Sequence, residues 1–408
     1  MSPTASPARF RVLALISVGT MINYLDRTVL GVAAPGMVTD LHLSPAIMGV
    51  VFSAFSWSYA VAQIPGGWLL DRIGTRLTYF LSVSLWSLFT LAQGFAGGVA
   101  SLLSFRLGLG VSEAPCFPTN SRVVATWFPE HERAQATAVY TVGEYLGLAC
   151  FGPLLFWISR RFGWRPLFYV VGGAGIVFAG IWWALYREPG STGREAGTVR
   201  AAMSWTQVRQ LLRHRQVWGA SIGQFGGNST LVFFLTWFPT YLAKERHMDW
   251  MRAGFNAILP FIAAACGILL GGWVSDTLLK RTGSRNLARK LPIIVGLFGA
   301  STIILANYVA SDTLVIAILS FAFFCQGMTG LGWAVISDVA PKELMGLTGG
   351  IFNFASNLAG IITPIVVGAI IGATGSFFYA LAYVGAAALL GALSYVFLLG
   401  DVKRIVLD

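Results

Sequence analysis

Apolar stretches near the length of a membrane crossing recur from one end of the chain to the other, and this recurrence limits the fold more than any motif does. They fall at 10–37, 45–70, 78–97, 100–126, 133–159, 165–186, 216–243, 253–279, 290–309, 313–337, 345–372 and 376–399. About 20 apolar residues carry an α-helix across the hydrocarbon of a bilayer, so the pattern predicts twelve transmembrane helices. In lipid every backbone polar group must be satisfied inside a helix or a closed barrel. The alternating strands of a barrel are absent. Composition agrees: 56% of residues are hydrophobic and 11% charged, where a soluble domain has roughly 25% charged. The expected class is an all-α membrane protein.

The net charge of +11 points to topology and not to nucleic acid. With the first residues placed in the cytoplasm, 20 of the 28 Lys and Arg fall in cytoplasmic loops, 6 lie outside, and Arg27 and Arg106 lie within spans. This positive-inside bias puts both termini in the cytoplasm of a multi-pass protein, expected in a bacterial inner membrane. The stretch "MSPTASPARFRV" lacks a small-residue cleavage pattern after a short apolar core, so the first helix is expected to be retained. Cys116, Cys150, Cys266 and Cys325 all lie in spans without CxxC spacing and read as free buried thiols, with no disulfide and no metal site.

The chain repeats itself. "GGWLLDRIGTR" at 66–76 returns as "GGWVSDTLLKRTGSR" at 271–285, half a chain length on. "WFPEHERAQATAVYTVGEYLG" at 127–147 is echoed by "VAPKELMGLTGGIFNFASNLAG" at 339–360. Two pseudo-symmetric six-helix halves, 1–186 and 216–408, joined by a polar cytoplasmic linker at 187–215, are the layout of the major facilitator fold, which binds its substrate near the midplane where the halves meet. Gly147, Gly152, Pro153, Gly349, Gly350 and Gly360 read as small residues for close helix packing. "GASIG" at 219–223 lies within a helix without the strand that a nucleophile elbow needs, and "NST" at 228–230 is intramembrane and unusable for glycosylation.

Five ionisable residues fall well inside spans, all in the first half: Asp26, Arg27, Arg106, Glu113 and Glu144. A charge at the centre of a span costs about 2.5–3.5 kcal/mol on insertion scales, and such residues face a protein interior or a wet cavity. At similar depth the second half offers only the neutral Gln224, Asn228, Trp333, Ser337, Asn353 and Asn357. Neighbours on a helix point about 100° apart, so Asp26 and Arg27 do not simply pair, whereas Tyr24, Asn23 and Arg27 share a face. Arg106 and Glu113 lie two turns apart on one face, with Pro115 weakening the helix beside them. Tyr59 and Gln63, Gln224 and Asn228, and Asn353 and Asn357 form further polar stripes.

Two readings of these charges stand side by side: a static ion-pair network holding helices together, or a site for an anion and protons. Buried pairs contribute little net stability and apolar packing often replaces them, which favours the site. For Asn228 and Asn357, helix–helix hydrogen bonds serve equally well. With all three carboxylates ionised, the two arginines leave the group at −1, and a bound monoanion makes it −2 in a low dielectric, where like charges repel strongly. Protonating two carboxylates brings the loaded site to zero. An anion carried together with protons on Asp26, Glu113 or Glu144 is the expectation, with the arginine fork matched to a carboxylate.

"NYLDRTVLGVAAP", "GVVFSAFSWSYAVAQIPGGWLLDRIGTR", "RLGLGVSEAPCFPTNSRVVATWFPEHERA", "FFLTWFPTYL" and "LTGGIFNFASNLAGIITPIVVG" resemble the anion:cation symporter family of the major facilitator superfamily. Within it the resemblance is greatest to proton-coupled galactonate carriers, with hexuronate and glucarate carriers nearby, and it runs over nearly the whole chain. It implies that Asp26 and Glu113 carry the coupling protons, that Arg27 holds the substrate carboxylate, and that Arg106 is a second buried arginine of the site. It further implies that Tyr24, Tyr59, Gln224, Trp333, Ser337 and Asn353 line the sugar-acid site. Asp71, Arg72 and Arg76 match the gate motif after the second span, with Asp276 its weaker counterpart, where a negative side chain can meet a helix N-terminus.

Glu144 stands where galactonate carriers have glutamine, which both donates and accepts, whereas an ionised glutamate only accepts. Three readings stay open: a protonated mimic of the amide, a different pattern of substrate hydroxyls, or an added coupling site that favours a substrate with a cationic group. Asp338 is read as surface charge. The chain is expected to be a symporter for a sugar-acid monoanion, a monomer in the lipid bilayer with no nucleic-acid partner. Without a metal-ligand cluster, activated nucleophile or phosphate loop, no enzyme and no cofactor are expected. The alternatives are a carrier or exchanger for another organic carboxylate, and a non-transporting receptor. The receptor calls for a long signalling extension, whereas nine residues follow the last span.

Overall fold

The computed structural model describes residues 8–129, 132–188, 205–341 and 344–406. Residues 189–204 of the expected linker, Lys342 of the charge count and the side chain of Asp71 lie outside the described residues. Among the described residues every regular element is helical. The order is α1 (Ala8–Asp40), α2 (Pro45–Ile73), α3 (Thr75–Gln93), α4 (Val99–Glu113), α5 (Cys116–Trp127), α6 (Arg133–Phe162), α7 (Arg165–Leu185), a short α8 (Trp205–Leu211) within the expected linker, α9 (Arg215–Thr236), α10 (Phe238–Thr240), α11 (Trp250–Thr282), α12 (Arg285–Ser301), α13 (Asp312–Gly327), α14 (Gly332–Val339), α15 (Met345–Thr374) and α16 (Phe378–Leu393). Each expected span coincides with one of these helices or a joined pair.

The helix ends follow local chemistry. Ser44 accepts the Ile47 N–H at 3.2 Å and Pro45 opens α2, since proline's missing N–H is no loss in a first turn. Gly74 joins α2 to α3 at φ +80°, a left-handed value that a Cβ disfavours. Pro115 separates α4 from α5.

Among the described residues, eight helices are long and apolar enough to cross a membrane on length and composition: those within 45–63, 139–162, 165–185, 252–282, 285–308, 312–339, 347–374 and 378–398. The expected spans outside that set are α1, α3, α4 with α5, and α9. Polar residues set three of them apart, Asp26 and Arg27 on α1, Trp86, Thr90 and Gln93 on α3, and Gln224 and Asn228 on α9, whereas the break at Pro115 leaves α4 and α5 each too short to cross alone.

The chain forms two compact units, one of Met1–Thr192 with Leu235–Ile258, the other of Gly193–Phe234 with Leu259–Asp408. In the first, α1 packs on α6, α2 on α4, and α3 on both α4 and α7. Trp182 stacks on Tyr186 at 4.2 Å in its core. A Cβ on Gly147 would stand 3.2 Å from Met21, so glycine sets the approach of α6 to α1. Segment 235–258 belongs here through Trp237, edge-on to Phe52 at 5.2 Å, and through an Arg160–Asp249 ion pair. Gly254 adds to this, since a Cβ there would stand 3.0 Å from Phe156. In the second unit α12 packs on α13 and α16, and Phe234 stacks on Phe323 at 4.0 Å.

Three expectations are corrected. Cys116 and Cys325 are buried but Cys150 and Cys266 are exposed, because α6 and α11 turn those positions outward. Gly350 meets nothing within 4 Å, so it makes no close packing contact. Asp338 is no free surface charge: it accepts from Arg289 Nε at 3.0 Å, and Arg289 Nη1 reaches Ser275 Oγ at 3.0 Å.

Candidate functional site

Mid-way along α1, Asp26 and Arg27 leave the helix in different directions. Arg27 crosses to α4, where its Nε donates to Glu113 Oε1 at 2.6 Å and its Nη2 lies against the same oxygen. Three rings surround the guanidinium, with centroids 4.9 Å (Tyr24), 4.8 Å (Phe55) and 5.1 Å (Tyr59) from Cζ. Cation–π contacts of this kind contribute about 0.5–2 kcal/mol each. The Arg27 side chain is 17% exposed and that of Glu113 fully buried, so the arginine is the accessible partner. Glu113 Oε2 is buried without a hydrogen-bond partner.

Asp26 points to α3 and α4. It is fully buried, and neither carboxylate oxygen closes a hydrogen bond of good geometry, although Thr90 and Trp86 approach it as hydrogen-bonding neighbours. The groups acting on it are Trp86 and Thr90 from α3, and Glu113 and Arg106 from α4. Arg106 donates through Nη2 to the Phe52 carbonyl at 3.3 Å and lies 5.1 Å from the Phe55 ring, while its Nε and Nη1 have no partner. Phe55 therefore serves both arginines. An unmade hydrogen bond on a buried group costs about 1–3 kcal/mol, more when the group is charged. A static network closes such bonds. One closed ion pair among orphaned neighbours is the pattern of a site that exchanges partners.

Glu144 on α6 is buried and its carboxylate faces Tyr24 and Arg27. It reaches them because Gly143 and Gly147 bring α6 against Ser17 and Met21 of α1. Tyr24 thus neighbours both the arginine and the extra acid. The first unit accordingly gathers Tyr24, Asp26, Arg27, Tyr59, Arg106, Glu113 and Glu144.

In the second unit a Cβ on Gly332 would stand 2.8 Å from Gln224 Oε1 and 2.8 Å from Phe352. Trp333 meets Phe352 edge to face at 5.1 Å and is 49% exposed. Ser337, also exposed, donates to the Trp333 carbonyl at 3.0 Å. The carbonyl of Asn353 accepts the Asn357 amide at 2.9 Å. Asn228 donates to the Ser356 carbonyl at 2.8 Å, a helix-to-helix bond that accounts for it by packing.

The residues expected at the gate lie apart from these groups along the chain. Arg72 is exposed and sits 5.1 Å from the Trp68 ring. Arg76 lies 4.2 Å from the Trp183 ring and donates to the Trp183 carbonyl. Glu188 accepts the Thr75 N–H at 2.7 Å, capping the start of α3. Asp276 is exposed.

Sequence reasoning passed over Trp86, Thr90 and Gln93. They recur at i, i+4 and i+7 on α3, a stripe that was available to find, but neutral side chains draw less notice than charges.

The model of the Major Facilitator Superfamily matches residues 16–364. The chain belongs to that superfamily. It is 44% identical over 427 residues to the D-galactonate transporter of Escherichia coli O6:H1, covering 98% of each chain. To a probable galactarate/D-glucarate transporter of Escherichia coli (strain K12) it is 42% identical over 426 residues, covering 98% of this chain and 95% of the relative. A crystal structure of a bacterial homolog to the human lysosomal transporter Spinster, inward-facing and unoccupied, superposes with TM-score 0.74 at 23% identity, covering 97% of this chain and 95% of that one. The fold is that of the superfamily, and the protein is an integral, multi-pass membrane protein.

Proposed function

We propose that this superfamily member imports a sugar-acid monoanion, a hexonate such as D-galactonate or a related hexuronate, together with protons by alternating access. The observation that carries the reading is the Arg27–Glu113 pair in its aromatic cage. A substrate carboxylate arriving at the accessible side of Arg27 competes with Glu113 for the same nitrogens. Once displaced, Glu113 is a buried carboxylate that has lost its bonded counter-ion and keeps only the more weakly acting Arg106, and it takes up a proton because a poorly compensated buried charge is costly. Asp26, buried and without a closed hydrogen bond, is the second proton site. Return of Glu113 to Arg27 after substrate leaves releases the proton on the other side.

The charge balance favours a monoanion over a dianion. Asp26, Glu113 and Glu144 already exceed Arg27 and Arg106 by one charge, and each further negative charge requires a further proton. Tyr24, Tyr59, Arg106, Glu144, Gln224, Trp333, Ser337 and Asn353 supply the remaining contacts to the substrate. Asp71, Arg72, Arg76 and Asp276 act at the gate. The protein works as a monomer in a bacterial inner membrane with both termini cytoplasmic, its halves 1–186 and 216–408 joined by the linker 187–215. The relative at 42% identity, named for galactarate and D-glucarate, favours a second reading in which the anion is an aldarate.

The test is uptake of radiolabelled D-galactonate, D-glucarate and D-galacturonate into proteoliposomes, with and without an inward proton gradient, for wild type and Glu144→Gln. Gradient-driven uptake of a monoanion by wild type is expected. Uptake indifferent to the gradient would end the proton-coupled reading, and preference for D-glucarate would replace the monoanion with the aldarate.

A further inference from the structure

Resting on the proton-coupled reading, we propose that one face of α3, formed by Trp86, Thr90 and Gln93, holds bridging water through which Asp26 exchanges its proton, and that Thr90 is a positioning residue for coupling. The three side chains recur at i, i+4 and i+7, which places them on one face of the helix. All three are fully buried. Each carries a polar atom without a hydrogen-bond partner: Trp86 Nε1, Thr90 Oγ1 and Gln93 Oε1. Trp86 and Thr90 are the two α3 groups that act on the Asp26 carboxylate.

The facing helices continue the pattern. On α1, Asn23 lies three residues before Asp26, is fully buried, and has both amide atoms unpartnered. On α4, Arg106 leaves Nε and Nη1 unpartnered, and Glu113 leaves Oε2. Ser87 is a neighbour in sequence but not of the face: a Cβ on Gly175 of α7 would stand 3.0 Å from the Ser87 Cβ, so it points to α7. Thr90 and Trp86 lie close enough to act on Asp26, and Asn23 on Glu113, yet none of these atoms closes a hydrogen bond of good geometry. Such imperfectly matched buried groups are the setting in which buried water makes two to four hydrogen bonds.

The arrangement also solves a kinetic problem. A carboxylate sealed among apolar groups can hold a proton but has no partner to pass it to. The hydroxyl of Thr90 both donates and accepts, as does water, so a proton on Asp26 has a route along α3. That route runs from the level of Asp26 to Gln93 at the end of α3, away from the Gly74 turn. The charged groups acting on Asp26 are Glu113 and Arg106, both from α4. Arg27 is turned to Glu113, and Glu144 on α6 faces Tyr24 and Arg27.

The experiment compares wild type, Thr90→Val, Thr90→Ser and Gln93→Leu in proteoliposomes with radiolabelled D-galactonate. Counterflow exchange at equal pH needs no net proton movement, whereas accumulation under a proton gradient does. Thr90→Val is expected to retain counterflow while gradient-driven uptake falls roughly tenfold and its pH profile shifts, less than the roughly hundredfold that loss of a proton-transfer group itself costs. Thr90→Ser, which keeps the hydroxyl, is expected to restore both, and Gln93→Leu to show the same split as Thr90→Val. Unchanged uptake and pH profile in Thr90→Val would overturn the proposal. So would equal losses of counterflow and uptake that serine fails to restore, since that is a packing effect. Gradient-independent uptake by wild type would instead refute the underlying reading and this inference with it.

Discussion

In the proposed mechanism Glu113 competes with substrate for Arg27, and replacing it by Gln removes that competitor while keeping its shape. In the resting protein Arg27 Nε holds Glu113 Oε1 at 2.6 Å, and a hydrogen bond to a charged partner contributes about 1.5–3 kcal/mol. Substrate must first displace that bond. A glutamine carbonyl still accepts from the arginine, so the gain in substrate affinity takes the lower part of the range, about 1.5 kcal/mol, or roughly tenfold. The sign of the pH effect follows from the same exchange. In wild type, displaced Glu113 must be protonated, so affinity weakens as pH rises. In Glu113→Gln no proton is needed there and the slope flattens. Isothermal titration of detergent-solubilised protein with D-galactonate across pH 5.5–8.5 reads both quantities. The variant should also retain counterflow but lose accumulation, because it cannot take up and release the proton. Weaker binding with the wild-type pH slope intact would refute the exchange of partners at Arg27.

Arg27→Lys keeps the charge but loses the planar fork and its seat among Tyr24, Phe55 and Tyr59; a loss of about 1.5–3 kcal/mol predicts a KM increase of roughly 10–150-fold in proteoliposome uptake, and an unchanged KM would remove Arg27 from substrate binding. Asp26→Asn is expected to keep counterflow and abolish accumulation under a proton gradient; persistence of gradient-driven accumulation would exclude Asp26 as a proton site. Asp338→Asn breaks a pair whose side chains are 19% and 22% exposed, so screening holds the cost to about 1–2 kcal/mol, seen as a fall in Tm of a few degrees with substrate affinity unchanged.

The helices were legible because hydrocarbon permits little else, but their ends were not: the expected span 100–126 ran through Pro115, which was read as weakening the helix and in fact divides α4 from α5. The divergence of Asp26 from Arg27 was also legible, since it needs only the 100° step of a helix. What the pattern could not supply is partner choice. Helical periodicity places Arg106 and Glu113 on one face but does not say that Glu113 goes to Arg27 while Arg106 goes to the Phe52 carbonyl. That outcome depends on how α1, α2 and α4 cross. Asp338 was misread for a related reason: its nearness to a helix end suggested exposure, but Arg289 from the neighbouring α12 covers it.

Several helices that fall short of apolar membrane spans, α1 and α9 among them, carry charged or polar candidate residues, and one physical cause connects the two facts. A span can be uniformly apolar only if it has nothing to bind. Each polar group added to α1, α3, α4 or α9 weakens its partition into lipid and must be compensated inside the protein. If compensation were complete in a single arrangement, the groups would form closed pairs and the protein would be stable there and inert. Instead Arg27 and Glu113 close one pair, while Asn23, Asp26, Trp86, Thr90, Gln93 and part of Arg106 stay open around it. The open groups make this arrangement less stable than it could be, so the anion and protons of the proposed function would have interactions left to satisfy. Under the proposed function, binding redistributes partners within the same bundle, and the free energy of that exchange is what would couple the two cargoes.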